Sequence, residues 1–315
     1  MSIREPDDRK KPDELVAAGS EILVVQAVAG VKVMVPDGGW VLGAKFTRQG
    51  PDLLLIGKNG EQLLIRDFFN LETPPDILTE GGSLIRADLA IRLSGPIAPA
   101  QYAEAKPGEP AKPVGEVDMV DGEAKVTRVD GTVEELSEGD PIFQGDILET
   151  GEDAEIAIIF IDESAFSLGD SGRMVIDEMV FDPAEGEGSS SVSLVQGAFS
   201  FVSGAISKTD PNAMSLKTPV ATIGIRGTAG GGKIDEEGTT TAALIQEKGN
   251  FTGELTFANE FGVQTINKPN QAVTVAAGEA PGQPFTMTAR QMAQSFGEAL
   301  KALPNANAYK DYFKW

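Results

Sequence analysis

Apolar residues along the chain fall in short runs separated by turn residues, and only the C-terminal end changes period. The first run, from Ile22 to Val35, is β-branched and partly alternating, and it stops at Pro36-Asp-Gly-Gly39. Two further runs, Asp52–Ile56 and Gln62–Ile65, flank Lys58-Asn-Gly60. Asn-Gly between two apolar runs predicts a hairpin. Runs of this length bounded by turn residues predict core strands, so residues 21–94 read as a small β domain behind a polar tail, 1–20. Prolines 96, 99, 107, 110 and 113 make 95–113 a semi-stiff linker, and such a spacer predicts independently folding units on either side.

From Val114 the same texture resumes, with apolar runs at Ala124–Val129, Ile142-Phe143, Ile147-Leu148 and Ile156–Phe160. The turns carry Asp-Gly or Gly-Asp at 121–122, 130–131, 139–140, 145–146 and 169–170. Strands at such spacing predict an all-β fold, and their shortness predicts a β-solenoid or β-roll over residues 114–285. Residues 286–315 form a helix and tail. Met292, Phe296, Leu300 and Leu303 make one apolar stripe, with Thr288 as cap and Pro304 beyond the end. Such a helix is expected to cover an open solenoid end.

One stretch stands apart, Lys217-Thr-Pro-Val-Ala-Thr-Ile-Gly-Ile-Arg-Gly-Thr228. Pro219 suits a strand start, while Gly224 and Gly227 suggest tight bends or close backbone approach. Arg226, between Ile225 and Gly227, can lie on apolar surface and direct its guanidinium at turn carbonyls. The candidate binding residues are Thr218, Pro219, Ile225, Arg226, Gly227 and Thr228. The following Ala-Gly-Gly-Gly232 reads as strand or turn.

This stretch resembles the signature TPxATIGIRGT of FecR-type domains. Upstream residues fit the same pattern: Val120–Arg128, Leu136–Gly151, Ala157–Phe160, Phe166–Gly169 and Val195–Phe201. The resemblance covers roughly residues 115–235 and implies an extracytoplasmic, β-rich binding or signalling module without catalytic residues. Sigma-regulating members of that family carry a cytoplasmic helical region and a membrane span, neither of which is seen in this sequence. Residues 50–70, GPDLLLIGKNGEQLLIRDFFN, resemble the prefix module of BapA-type biofilm surface adhesins, which leave the cell by type 1 secretion. The tail Tyr309-Lys-Asp-Tyr-Phe-Lys-Trp315 is similar to uncleaved type 1 secretion signals; the alternative is an aromatic cluster packed back onto the β domain.

Composition narrows the chemistry. A formal charge of −22 argues against nucleic acid or an anionic membrane as partner. With no cysteine and no histidine, disulfides, thiolates, the commonest zinc ligand and the commonest general base are all missing. Acidic pairs at Asp162-Glu163, Asp177-Glu178 and Asp235-Glu-Glu237 read as solvated turns; calcium is the one ion they could hold, and they lack any calcium-loop spacing. No cofactor is expected. Two tryptophans and three tyrosines leave little lining for a sugar cleft. No apolar run reaches the ~18 residues of a membrane helix, and the N-terminal residues are charged. Taken with the two resemblances, which imply the location and partners, the expectation is a non-enzymatic protein that binds or assembles at the bacterial envelope or surface, adhesin-like, with envelope proteins, a type 1 exporter or its own copies as partners. The alternative is an envelope sensor or regulator that receives a signal from an outer-membrane partner. The expected location is extracellular or the cell surface, with the periplasm or cytoplasm as the alternative.

Overall fold

The computed structural model describes residues 22–36, 38–95, 112–185, 187–210, 212–245 and 253–304. The expected tail 1–20, most of the linker (96–111) and the terminal aromatic segment 305–315 lie outside the described residues.

Seven short strands build the N-terminal unit: β1 (Ile22–Gln26), β2 (Val33–Val35), β3 (Lys45–Gln49), β4 (Asp52–Ile56), β5 (Gln62–Arg66), β6 (Ile77–Thr79) and β7 (Leu84–Ile85). Helix α1 (Ala87–Leu93) follows them. β4 and β5 form the expected hairpin, with Leu53 opposite Ile65 and Leu55 opposite Leu63. Alternation then buries Leu53, Leu55, Leu63 and Ile65 on one face. β3 pairs with β4, and β1 adds in parallel to the far side of β5, giving the order β1-β5-β4-β3. A smaller sheet has the order β2-β6-β7.

The second unit begins with β8 (Gly115–Asp121), β9 (Ala124–Thr127), β10 (Val133–Glu135), β11 (Pro141–Ile142), β12 (Ile147–Thr150), β13 (Glu155–Phe160) and β14 (Ala165–Leu168). Two long strands, β15 (Arg173–Asp182) and β16 (Glu187–Val202), lead to the short helix α2 (Ile206–Thr209). The chain continues through β17 (Met214–Lys217), β18 (Thr222–Arg226), β19 (Ala229–Ile234), β20 (Thr240–Ile245), β21 (Glu254–Asn259) and β22 (Gly262–Ile266). It closes with β23 (Gln271–Val275), β24 (Phe285–Thr286) and α3 (Ala289–Ala302).

β16 joins two rows of strands. Its first part pairs with β15 and β17, and its last residues pair with β14 and β19. One row therefore runs β10-β9-β12-β15-β16-β17-β18-β21-β22 and the other β11-β8-β13-β14-β16-β19-β20-β23-β24. The result is one curled, half-barrel sheet folded over its own core. Gly197 sits at the crossing with φ +99°, and a Cβ there would lie 2.5 Å from the Gly172 Cα. No other residue fits that approach without moving the backbone.

The expected solenoid is not confirmed. Stacked solenoid coils pair in parallel, whereas among the described residues every strand pairing in this unit is antiparallel except β16 with β17. The Asp-Gly turns reverse the chain instead of continuing a coil. Asp130 and Asp146, for example, accept backbone N–H groups of Thr132 and Phe143 through their carboxylates.

Three apolar clusters hold the layers together. The central one lies inside the fold of the sheet and includes Phe160, Phe166, Phe199, Phe201 and Phe257. A second binds the N-terminal unit to the outer face of the first row, where Ile147, Val175 and Val195 meet residues such as Val41, Leu42, Ile85 and Leu89. The third places Met292, Phe296, Leu300 and Leu303 of α3 on Ala165, Ala229, Ala243 and Ala272 of the second row. The predicted stripe and cap of α3 are thus present, with a capping box between Thr288 and Gln291. Its position differs from expectation: α3 lies across a sheet face, not across an end. Small residues on that face explain the docking, since a Cβ at Gly231 would come within 2.7 Å of the Phe296 ring.

α3 also carries Glu298 and Lys301 toward Glu155 at the start of β13, with Asp121 of β8 nearby. One Glu155 carboxylate oxygen, Oε2, is buried without a hydrogen-bond partner. Burial first, then the negative charges of Glu298 and Asp121, push its proton affinity above the ordinary carboxylate value, against the smaller pull of Lys301. A carboxyl with a raised folded-state pKa destabilises the fold above that pKa and stops doing so below its unfolded value. Glu155→Gln is therefore expected to raise the melting temperature at neutral pH. The gain should vanish as pH falls below the ordinary value of 4.5. A loss of stability at neutral pH would contradict this reading of Glu155.

Candidate functional site

The signature stretch is a corner between the two rows. β17 ends at Lys217, and Thr218 then closes a tight turn. Its N–H donates to Ala221 O at 2.8 Å, and its hydroxyl accepts from Ala221 N at 3.1 Å. The carbonyl of Pro219 accepts from Leu84 N of β7 at 2.8 Å. Val220 O accepts from the Asn259 side chain at 3.1 Å. Ile223 and Ile225 face the central core. After Arg226 the chain turns through Gly227, at φ +51°, and crosses to the second row. The buried Thr228 donates its N–H to Ser203 Oγ at 2.8 Å and accepts from Ser203 N at 3.0 Å.

The six candidate residues therefore do not converge. Thr218 and Pro219 sit against the N-terminal unit, Ile225 is core, and Arg226, Gly227 and Thr228 lie at the far end of β18. Among the described residues the Arg226 guanidinium reaches side chains and no turn carbonyl: Glu254 at 2.8 Å on the neighbouring strand and Asn212 at 3.3 Å. The Ala-Gly-Gly-Gly segment after Thr228 is strand β19.

Lys217 leads to a polar cluster that the candidate residues miss. β15 and β16 shift register between Ile176 and Glu178, leaving Asp177 as an extra residue in a bulge. A bulge re-aims the side chain it carries, and this one sends the carboxylate of Asp177 to the row face that receives the N-terminal unit. Asp177 is 7% exposed. Its Oδ2 accepts from Lys217 Nζ at 3.2 Å, Ser193 Oγ at 2.8 Å and Ser191 Oγ at 3.5 Å. Its Oδ1 accepts from Arg92 Nη1 of α1 at 3.3 Å. Ser193 Oγ in turn accepts from Arg86 Nη2 at 3.1 Å. Arg173 extends the contact, donating to the carbonyls of Leu42 at 3.3 Å and Ala44 at 3.0 Å. One buried carboxylate thus ties the N-terminal helix to the signature stretch.

Asp177-Glu178 is consequently not a solvated turn but part of β15. Asp162 lies in a turn, yet its carboxylate is fully buried and accepts from the N–H and hydroxyl of Ser164. Only Asp235-Glu-Glu237 fits the solvated description, with Asp235 accepting from Glu237 N and Thr239 N. Among the described residues no cluster of His, Cys, Asp and Glu could hold a metal ion. An open cleft of about 900 Å³ separates the N-terminal unit from the β19–β20 turn, with Trp40, Lys58, Glu61, Asp170, Lys233 and Glu236 on its walls. None of the six candidate residues lines it.

Comparison with known proteins places this geometry in context. Residues 146–248 match the model of the FecR protein family. The matched span starts later than the sequence resemblance suggested and runs past it, and it contains Asp177, Lys217 and the whole signature corner. Two crystal structures of a proposed anti-sigma factor from Parabacteroides distasonis align with TM-scores of 0.35 and 0.34 at 12% identity. Each alignment covers 45% of this chain and 59% of the other, so the chain spans little more than half the length of those structures. No curated protein matches. Among the described residues no helix is long and apolar enough to cross a membrane.

The contrast between Asp177 and Arg226 sets a test. Arg226 is half exposed, and exposed ion pairs contribute about 1 kcal/mol or less. Hydrogen bonds to a charged, mostly buried group are each worth about 1.5–3 kcal/mol. Asp177→Ala is expected to lower the unfolding free energy by at least 2 kcal/mol on that scale, about twice or more the cost of Arg226→Ala. Equal losses, measured by urea unfolding, would put the junction and the exposed pair on the same footing.

Proposed function

We propose that this chain is a non-enzymatic, signal-transducing regulator of the bacterial envelope, its FecR-type domain working through protein contacts. The observation that carries the reading is the FecR match over residues 146–248. The Asp177 junction gives it a physical route. A partner that bound or displaced α1 would act on Asp177, and through it on Lys217 and the corner that begins there. An outer-membrane protein is the partner class the family resemblance suggests. The adhesin reading and its type 1 export have no observation in their favour, because neither the fold nor the comparisons bear on a prefix module.

Transcription separates the two readings. Deleting the gene, or replacing it with an Arg92→Met variant that breaks the junction on the N-terminal side, should change the expression of a restricted set of genes. Attachment of the cells to surfaces should change only as a consequence. An unaltered transcriptome together with a direct loss of attachment would favour the adhesin.

A further inference from the structure

The open cleft of about 900 Å³ lies where β16 crosses between the rows, with Gln196 and Gly197 on its floor. The N-terminal unit contributes Trp40 and the β4–β5 turn to its walls, and the β19–β20 turn contributes Asp235, Glu236 and Glu237. Its volume falls within the ~300–1,000 Å³ common for ligand pockets. The lining carries six carboxylates against two lysines, Lys58 and Lys233. Three of those carboxylates serve their own turns: Glu61 accepts from Asn59, Asp170 from Asp153 N, and Asp235 from Thr239 N. Glu236 and Glu237 use theirs for no hydrogen bond or ion pair among the described residues.

Carboxylates alone do not define a ligand, but the aromatic ring beside one of them does. A Cβ at Gly57 would lie 2.9 Å from Trp40 Cε3 and would also strike the Glu61 carboxylate. Ring and carboxylate therefore meet over bare glycine backbone, at a wall of the cleft. Asn59 donates to both oxygens of Glu61, at 3.1 and 3.3 Å, which leaves about two of the four lone-pair sites open. Hydrogen bonds from the Glu61 backbone and from Asn59 hold that carboxyl below its ordinary value, so it stays charged. An aromatic ring beside a charged carboxylate suits arginine. Its planar guanidinium stacks on the ring while donating to the carboxylate, which a compact ammonium does less well.

We propose that this cleft receives an arginine-bearing, basic segment of a partner protein. One guanidinium sits between Trp40 and Glu61, and further basic groups face Glu236 and Glu237. The inference rests on the reading that the chain works through protein contacts, and it gives that partner a chemistry. A net charge of −22 draws such a segment toward the chain. The segment would touch the N-terminal unit and the β19–β20 turn together, and so bear on how the two units sit.

The test is a fluorescence titration of the full chain carrying Trp315→Phe, in which Trp40 is the one tryptophan left. The probe is an end-blocked Gly-Arg-Gly-Arg-Gly peptide at about 0.15 M salt. A saturable change in Trp40 emission is expected, with the lysine counterpart binding about threefold or more weakly. Glu61→Gln should weaken binding about tenfold. Because that carboxylate also holds the Asn59 turn, the pair Glu236→Gln and Glu237→Gln gives a second reading, a loss of about threefold. The same charge change at the exposed Glu135 and Glu138, outside the cleft, should leave affinity unchanged. No saturable change, equal affinity for the lysine peptide, or an equal loss from the Glu135 and Glu138 control overturns the proposal. Tighter binding by a chain lacking residues 1–20 would assign the cleft to its own Arg9-Lys10-Lys11 and overturn the partner. The Arg92→Met transcription test leaves the cleft intact and the titration reads no gene, so the two readings can fail separately.

Discussion

A sheet that is apolar on both faces cannot leave either to water, and this constraint governs the molecule. The folded sheet closes one face on itself around Phe166, Phe199 and Phe201. Its two outer faces still carry Ile147, Val175 and Val195 on one row and a field of alanines and glycines on the other. Each outer face needs its own cover. The N-terminal unit supplies one and α3 the other, so elements at opposite ends of the chain complete the same β core. Full burial of a large apolar side chain is worth about 1.5–3 kcal/mol, which makes both covers strong contributors to stability.

The junction at Asp177 draws its importance from that arrangement. Apolar cover fixes that the N-terminal unit sits on the first row, but it does not specify register. A buried carboxylate meeting Arg92, Lys217 and Ser193 does, because displacement would strand charge in a poorly solvated place. Bulge, helix and signature stretch meet there; the bulge and the signature stretch lie within residues 146–248, which match the FecR family, and the helix lies before them. A buried ionic cluster between two packed units is also a natural point for one to sense the other.

Much of this was legible in residues. The Asn59-Gly60 hairpin, the C-terminal helix with its Thr288 cap, and the Asp-Gly turns all follow from local chemistry, and the structure has them. Strands buried on both faces, such as Ala165–Leu168, read as unbroken small and apolar runs. What escaped depends on contacts distant in sequence. Parallel and antiparallel stacking place the same short runs at the same spacing, so the solenoid expectation had no local test. The bulge at Asp177 becomes visible only once β15 and β16 are paired. The one sequence signal was the acidic pair Asp177-Glu178 inside the apolar run Met174–Val180. Arg92 lay on a helix, and Arg86 just before it, inside a span read only as part of a small β domain.

The most direct test asks whether the N-terminal unit and the FecR-type sheet lose structure together. Trp40 belongs to the N-terminal unit, and Trp315 is the only other tryptophan. In a Trp315→Phe chain, fluorescence therefore reports the N-terminal unit alone, while far-ultraviolet circular dichroism reports chiefly the β-rich second unit. The shared apolar cluster and the Asp177 junction predict one coincident urea transition by both probes. A fluorescence transition at clearly lower urea, with the β signal intact, would contradict the account.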